Sequence, residues 1–154
     1  MSVAFRRESD EEHKEPKFEI PLPPGPNLVT ERGLADIQAR VRRLEAQIAV
    51  EADDDAREVA KRDLRYWRTR QSTAQVAPVP GGEQVAFGTK VRFRLNGADR
   101  TISIVGDDEA DPAGGFVSFS APLARALLGA GVGDHLPFAG KEGAIEILEI
   151  EALP

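Results

Sequence analysis

Leu34, Ile37, Val41, Leu44 and Ile48 recur at spacings of 3, 4, 3 and 4, the narrow apolar seam of a coiled-coil helix. Thr30 stands where it can cap this helix, and Glu31 in the first turn suits the positive end of the helix dipole. Arg40, Arg42, Arg43 and Glu45 flank the seam and form a solvated face. Ala56, Ala60, Leu64 and Trp67 then resume a seam at spacings of 4, 4 and 3, with Gln71 and Ala74 beyond. The two seams predict an antiparallel helical hairpin. So short a pair buries little surface and is expected to lean on the chain that follows, through Tyr66 and Trp67 near its base.

The hairpin turns at "VEADDDARE", residues 50–58. Three adjacent aspartates repel one another and form helix poorly. Asp54 or Asp55 is expected to cap the second helix. The cluster of Glu51, Asp53, Asp54 and Asp55 is either a solvated turn or charge held out toward a cation.

The segment "APVPGGE" at 77–83 breaks the helical pattern, and the period changes to two. Val91, Phe93 and Leu95 alternate with Lys90, Arg92 and Arg94. Asn96-Gly97 predicts a hairpin turn into "TISIV". "GDDEADPAGG" reads as a polar loop and "FVSFS" as a strand. "APLARALLGAGVGD" predicts a short helix with Pro122 in its first turn, Leu123, Ala126 and Leu127 buried, and Gly129 at its end. "HLPFA" and "GAIEILEIEAL" complete a sheet, with Ile145, Ile147, Leu148 and Ile150 on apolar faces. The expected class is α+β: a two-helix coiled-coil hairpin, then a small antiparallel sheet domain with one short helix. The expected divisions are a tail at 1–27, the hairpin at 28–77, a linker at 78–84 and the sheet domain at 85–154.

Residues 1–27 are charged and then rich in proline. Pro16, Pro21, Pro23, Pro24 and Pro26 favour an extended chain. The tail is expected to be disordered; the alternative is a strap laying Phe18, Ile20 and Leu22 along a neighbouring surface.

Composition narrows the classes. A net charge of −6 and a pI near 5.0 give no chain-wide basic footprint for sequence-specific nucleic-acid binding. The absence of cysteine removes disulfides, thiolate metal sites and thiol nucleophiles. Two distant histidines, His13 and His135, do not make a metal cluster or a triad. No apolar run approaches a membrane span, and the N-terminus lacks a signal-peptide core. A cytoplasmic monomer is expected.

Asp107, Asp108, Glu109 and Asp111 lack the alternating ligands and distant glutamate of a calcium loop, which leaves a partner-binding or structural role. Ser120, Ala121 and Pro122 read as a helix-capping Ser-x-Pro turn. Arg125 is a surface anchor for an acidic partner, or it pairs with the acidic loop, the reading favoured here. Gly129, Gly131 and Gly133 follow a helix instead of preceding one, so they make a turn and not a phosphate cradle.

The chain resembles the bacterial Gre transcript-cleavage factors. "IVGDDEAD" (104–111), "SFSAPLARALLGAGVGD" (118–134) and "EILEIE" (146–151) follow that family's pattern in order, "NLVTERGL" (27–34) resembles its opening, and "RDLRYWRTRQSTAQV" (62–76) resembles the end of its coiled coil. The resemblance covers about residues 27–154. It implies an FKBP-like C-terminal domain that binds bacterial RNA polymerase at the rim of the secondary channel, with the coiled coil inserted toward the active centre. There, tip carboxylates help hold the second catalytic Mg²⁺ and position the attacking water. The implied contact set is Asp107, Asp108, Glu109, Asp111, Ser120, Ala121, Pro122, Leu123 and Arg125. The implied tip set is Glu51, Asp53, Asp54 and Asp55, around a Mg²⁺ shared with the polymerase and no tightly bound cofactor. An FKBP-like fold also raises prolyl isomerase activity, but Phe87, Phe93, Phe116, Phe119 and Phe138 are expected to pack the core.

Two departures shape the expected function. The family's Gly-Asp-x-x-Glu-Asn tip is absent. Each arm is about eleven residues shorter than in cleavage-active relatives, roughly 16 Å of lost reach at 1.5 Å per residue. A carboxylate engages a metal only within about 2.0–2.6 Å. Some Gre homologues are inhibitors with several tip aspartates and others have shortened coils; this sequence is similar to both in part. It is therefore expected to be a non-enzymatic modulator that cleaves weakly or not at all. The alternatives are an active cleavage-stimulating factor and an adaptor for a partner other than RNA polymerase.

Overall fold

A computed structural model describes residues 19–154. The tail expectation for 1–18, Phe18 included, lies outside the described residues. The described residues form two compact units, one of 19–25 with 37–73 and one of 26–36 with 74–154. Among the described residues no helix is long and apolar enough to cross a membrane.

The helical unit contains most of α1 (Glu31–Val50) and all of α2 (Asp54–Thr73). Each helix has 20 residues, about 30 Å of rise. Ile37 and Val41 of the first seam are buried, as are Ala60 and Leu64 of the second. Burying an Ile, Val or Leu side chain is worth about 1.5–3 kcal/mol. Burial fades toward the turn: Leu44 and Ile48 are half-buried, and Val50 is 82% exposed. Arg57 donates to the Glu51 carbonyl beside the turn. Farther along, Arg68 meets Glu45 at 2.7 Å and the Arg40 guanidinium lies 4.6 Å from the centre of the Trp67 ring. These cross-links are those of an antiparallel pair. Trp67, expected to face the following domain, is thus engaged within the helical unit, edge-on to Tyr66 at 4.9 Å.

The second unit is built on a five-stranded sheet. Its strands are β3 (Thr89–Leu95), β4 (Ala98–Val105), β5 (Phe116–Ser118), β6 (His135–Phe138) and β7 (Lys141–Ala152), in the order β5-β4-β3-β7-β6. Alternation in β3 buries Val91 and Phe93 and exposes Arg92 and Arg94. On the open face these arginines pair with Asp99, Glu146 and Glu149, so the cationic strand is neutralised within the sheet. Asn96 and Gly97 both take left-handed φ, 50° and 88°, as a two-residue type I′ turn requires. β7 carries a bulge: Arg92 faces Glu149 while Phe93 faces Ile147. Leu148 is the extra residue, and Ile150 resumes the core-facing phase.

Three expectations are corrected. The sheet is mixed, because β5 runs parallel to β4; the 106–115 loop carries the chain back before β5 begins. The short helix α3 (Pro122–Leu127) buries Ala124 and Leu127, not Leu123 and Ala126. Ala124, Leu127 and Ala130 form the inward line, and Leu123 and Ala126 flank it half-buried, because the helix ends within two turns at Leu128. There Gly129, at φ 89°, donates to the Val85 carbonyl.

The third correction is an added pairing. Residues Leu28–Val29 (β1) run parallel to Gln75–Val76 (β2), with Gln75 N–H donating to Asn27 at 2.8 Å and Ala77 N–H to Val29 at 3.1 Å. This two-residue ladder and buried Val29 place the entry to α1 and the exit from α2 in the sheet unit.

Candidate functional site

Two places carry the expected functional residues. The first is the loop that leaves β4. Residues Asp107–Glu109 and Pro112–Gly114 each form a single 3₁₀ turn. The loop closes where Asp111 N–H donates to Phe116 O at 2.8 Å and Phe116 N–H returns to Asp111 O at 3.0 Å. Asp107 is the polar centre. Its Oδ1 accepts from Ser118 Oγ at 2.5 Å and from Ser120 Oγ at 2.9 Å. The two hydroxyls lie 2.8 Å apart, and Ser120 N–H donates to Ser118 Oγ at 3.1 Å. Ser120 therefore does not cap α3, as the Ser-x-Pro reading expected. Ala121 occupies the cap position with no side-chain bond, and the serine hydroxyl is committed to Asp107.

Ser118 was not singled out in the sequence, although a signal existed. In an extended segment, residues two apart share a side, so "SFS" places both hydroxyls together while Phe119 turns into the core. Along this surface Asp111, Ser120, Pro122 and Arg125 are exposed, and Asp108, Ala121 and Leu123 are half-buried. Among the described residues Arg125 makes no ion pair with the acidic loop, contrary to the pairing favoured above.

Glu109 is used inward. Its side chain is 6% exposed, and its Oε1 accepts from Thr30 Oγ1 at 2.6 Å. Thr30 Oγ1 in turn accepts from Gly33 N–H at 2.9 Å, the expected N-cap. Arg32 lies 3.7 Å from the second Glu109 oxygen and 4.7 Å from the centre of the Phe116 ring. One carboxylate thereby ties the first turn of α1 to the acidic loop, while Asp111 stays exposed on the loop's surface.

The second place is the hairpin tip. Asp53, and not Asp54 or Asp55, caps α2: its Oδ2 accepts from Ala56 N–H at 2.8 Å. Glu51 accepts from Asp53 N–H at 3.2 Å, and Asp54 pairs with Arg57 at 2.9 Å. Asp55 is exposed. Among the described residues no three acidic or imidazole groups converge as a metal-binding set. The carboxylates are spread around a turn, three of them holding local bonds, and do not fit a metal site of the tip's own. The Gly129–Gly133 stretch is the expected turn, closed by Gly131 N–H to Asp134 Oδ2 at 2.9 Å.

Comparison with known proteins bears first on the sheet unit. Residues 80–152 match the family model for transcription elongation factor GreA/GreB, C-terminal. By that match the sheet unit is similar to the C-terminal domain of the GreA/GreB factors. Transcription elongation factor GreA of Pseudomonas aeruginosa PAO1 is 36% identical over 92 residues, 58% of this chain and 58% of that protein. GreA of Rhizobium etli CIAT 652 is 41% identical over 73 residues, 45% of this chain and 46% of that protein. The chain thus spans about half the length of the curated relatives it matches. The crystal structure of GreA factor homolog 1 (Gfh1) of Thermus thermophilus superposes with a TM-score of 0.38 at 19% identity, over 83% of this chain and 100% of that one. Within the GreA/GreB match lie the Asp107–Ser118–Ser120 cluster and α3; the acidic tip lies outside it.

Proposed function

We propose that the chain is a cytoplasmic, monomeric regulator of transcription elongation, not itself an enzyme. In this reading its C-terminal domain docks on bacterial RNA polymerase at the rim of the secondary channel and its acidic hairpin enters that channel. Docking would use the outward surface of Asp107, Asp108, Asp111, Ser120, Ala121, Pro122, Leu123 and Arg125. Asp107 holds two hydroxyls and the Ser120 loop in one posture, so a partner meets a preorganised polar surface.

The observation that carries the regulatory half of the proposal is the state of the tip. Asp53 caps its own helix, Asp54 is paired with Arg57, and Glu51 holds the Asp53 amide. Among the described residues no carboxylate set is assembled for a cation, and each helix has only 20 residues. A factor of this kind occupies the channel, stimulates cleavage weakly or not at all, and competes with longer cleavage factors. It binds no cofactor tightly.

The test is transcript cleavage by backtracked elongation complexes, with the chain added alone and together with a full-length GreA. The expected result is little cleavage alone and a dose-dependent loss of GreA-stimulated cleavage. Replacing Asp53, Asp54 and Asp55 together by alanine should leave polymerase affinity within about two-fold, a change of about 0.4 kcal/mol, because docking lies in the other unit. Brisk cleavage by the chain alone would favour the activator reading. Failure to bind core polymerase would move the function to another partner.

A further inference from the structure

The segment 19–25 precedes β1 and belongs to the helical unit. Pro21, Pro23 and Pro24 keep it from forming helix, and Ile20 and Leu22 line a shallow groove with Arg65, Tyr66, Arg68 and Thr69 of α2. Glu19 anchors one end. Its two carboxylate oxygens receive Arg65 Nε at 2.6 Å and Arg65 Nη2 at 2.8 Å, the two-point geometry that makes arginine selective for carboxylates.

Two features suit this cover to exchange with a competitor. It lies on the surface: the Glu19 and Arg65 side chains are 59% and 54% exposed, and Leu22 is 51% exposed. An exposed ion pair holds little by itself. The groove is also specific in charge. Arg68 is committed to Glu45 and Arg62 to Asp63, whereas Arg65 has no ion-pair partner but Glu19 among the described residues. When the segment lifts, one oriented guanidinium is left beside an aromatic ring, asking for another carboxylate.

We propose that the face of α2 formed by Arg65, Tyr66, Arg68 and Thr69 is a recognition surface for an extended protein segment bearing a carboxylate followed at the first and third positions by apolar side chains, and that residues 19–22 occupy it in cis as a tethered competitor. The proposal is independent of polymerase binding. A short tether gives the strap an effective concentration of order millimolar, so a partner in trans must present the same chemistry with better contacts or a higher local concentration.

Protonation is not the normal release. The Arg65 hydrogen bonds, with its charge and that of Arg62, hold the Glu19 carboxyl below the ordinary carboxylate range, and Glu58 adds its own charge beside Arg65. A carboxyl depressed in this way keeps its contribution above the ordinary range and loses it as pH falls through the lowered value. At neutral pH the Glu19 carboxyl is ionised and can pair with Arg65, so exchange of the strap needs no proton.

The test uses the full chain, its Glu19→Arg variant and a synthetic peptide of residues 17–25. Trp67 is the only tryptophan and touches Tyr66 edge-on, so its fluorescence reports the groove, with amide shifts over residues 62–69 as a second readout. Glu19→Arg should bind the peptide about ten-fold more tightly than the unmodified chain, and Glu19→Ala should move in the same direction. A peptide with its own glutamate changed to alanine should lose most of that binding. Arg65→Glu should abolish it and regain it with a peptide carrying arginine at the glutamate position. Equal affinity for the unmodified chain and both Glu19 variants, no binding to any of them, or indifference to the peptide's carboxylate would each overturn the proposal.

Discussion

Phe93→Ala is expected to destabilise the sheet unit by about 3–5 kcal/mol. Phe93 is fully buried in the cluster that joins the sheet to α3, among Ile104, Leu127, Ile145 and Ile147. It also sits at the bulge, where its partner in β7 is Ile147. The backbone there is already bent by the extra residue, so collapse around a shortened side chain would have to shift that register. A domain of this size typically has about 5–15 kcal/mol of stability, so the loss is a large part of the total. Phe93→Leu, which keeps most of the volume, should cost less than about 1.5 kcal/mol. The measurement is chemical denaturation followed by amide exchange in β3 and β7; Trp67 lies in the helical unit and reports the wrong event. A cost below about 1 kcal/mol for Phe93→Ala would mean that the space refills, and that the core is looser than the burial of Phe93, Ile104 and Ile145 implies.

The parts of this fold legible in the sequence are those set by local period. Leu34 to Ile48 and Ala56 to Trp67 announced two helices, and Thr30 with Asn96-Gly97 marked a cap and a turn that the backbone confirms. What stayed hidden depends on which distant atoms meet. The alternation of "FVSFS" marks a strand but not its neighbour, so the parallel seating of β5 on β4 was missed. A two-residue ladder such as Leu28–Val29 on Gln75–Val76 has no period at all. One signal was present and went unused. The apolar positions 145 and 147, then 148 and 150, slip phase by one residue, which is the mark of a bulge in a half-buried strand.

The candidate site divides the same way. That acidic residues cluster at 51–55 and 107–111 was evident. Which of them is occupied was not, because Asp53, Asp54 and Asp55 are equivalent until the Ala56 amide selects the first as its cap. Glu109 likewise reads as one more loop carboxylate until Thr30, 79 residues away, donates to it. In both places the bonds made inward decide which charges remain for a partner.

Gly106→Ala tests how tightly the acidic loop is tied to the start of α1. The glycine has ordinary backbone angles, φ −77° and ψ 170°, so no left-handed conformation requires it. A Cβ there would lie 2.2 Å from the Leu28 carbonyl oxygen and 3.7 Å from Val29 Cα. Both are backbone atoms, and no rotamer relieves the overlap. Forcing one methyl into such a site costs about 1–3 kcal/mol, and the chain has one evident escape, which is to move β1 away. That escape would uncover Val29, strip the bonds from Gln75 to Asn27 and from Ala77 to Val29, and pull Thr30 off Glu109. Amide protection at residues 75 and 77 should therefore fall by more than the global stability, whereas Gly81→Ala, with nothing within 4 Å of its added methyl, should change stability by less than about 0.5 kcal/mol. Asp107 directly follows the substituted residue, so the polar surface around Ser118 and Ser120 should shift with it, and under the proposed docking polymerase binding should weaken in the same variant. If exchange at 75 and 77 is unchanged while stability drops, the loop yields instead of β1, and the β1–β2 ladder is the stronger of the two ties.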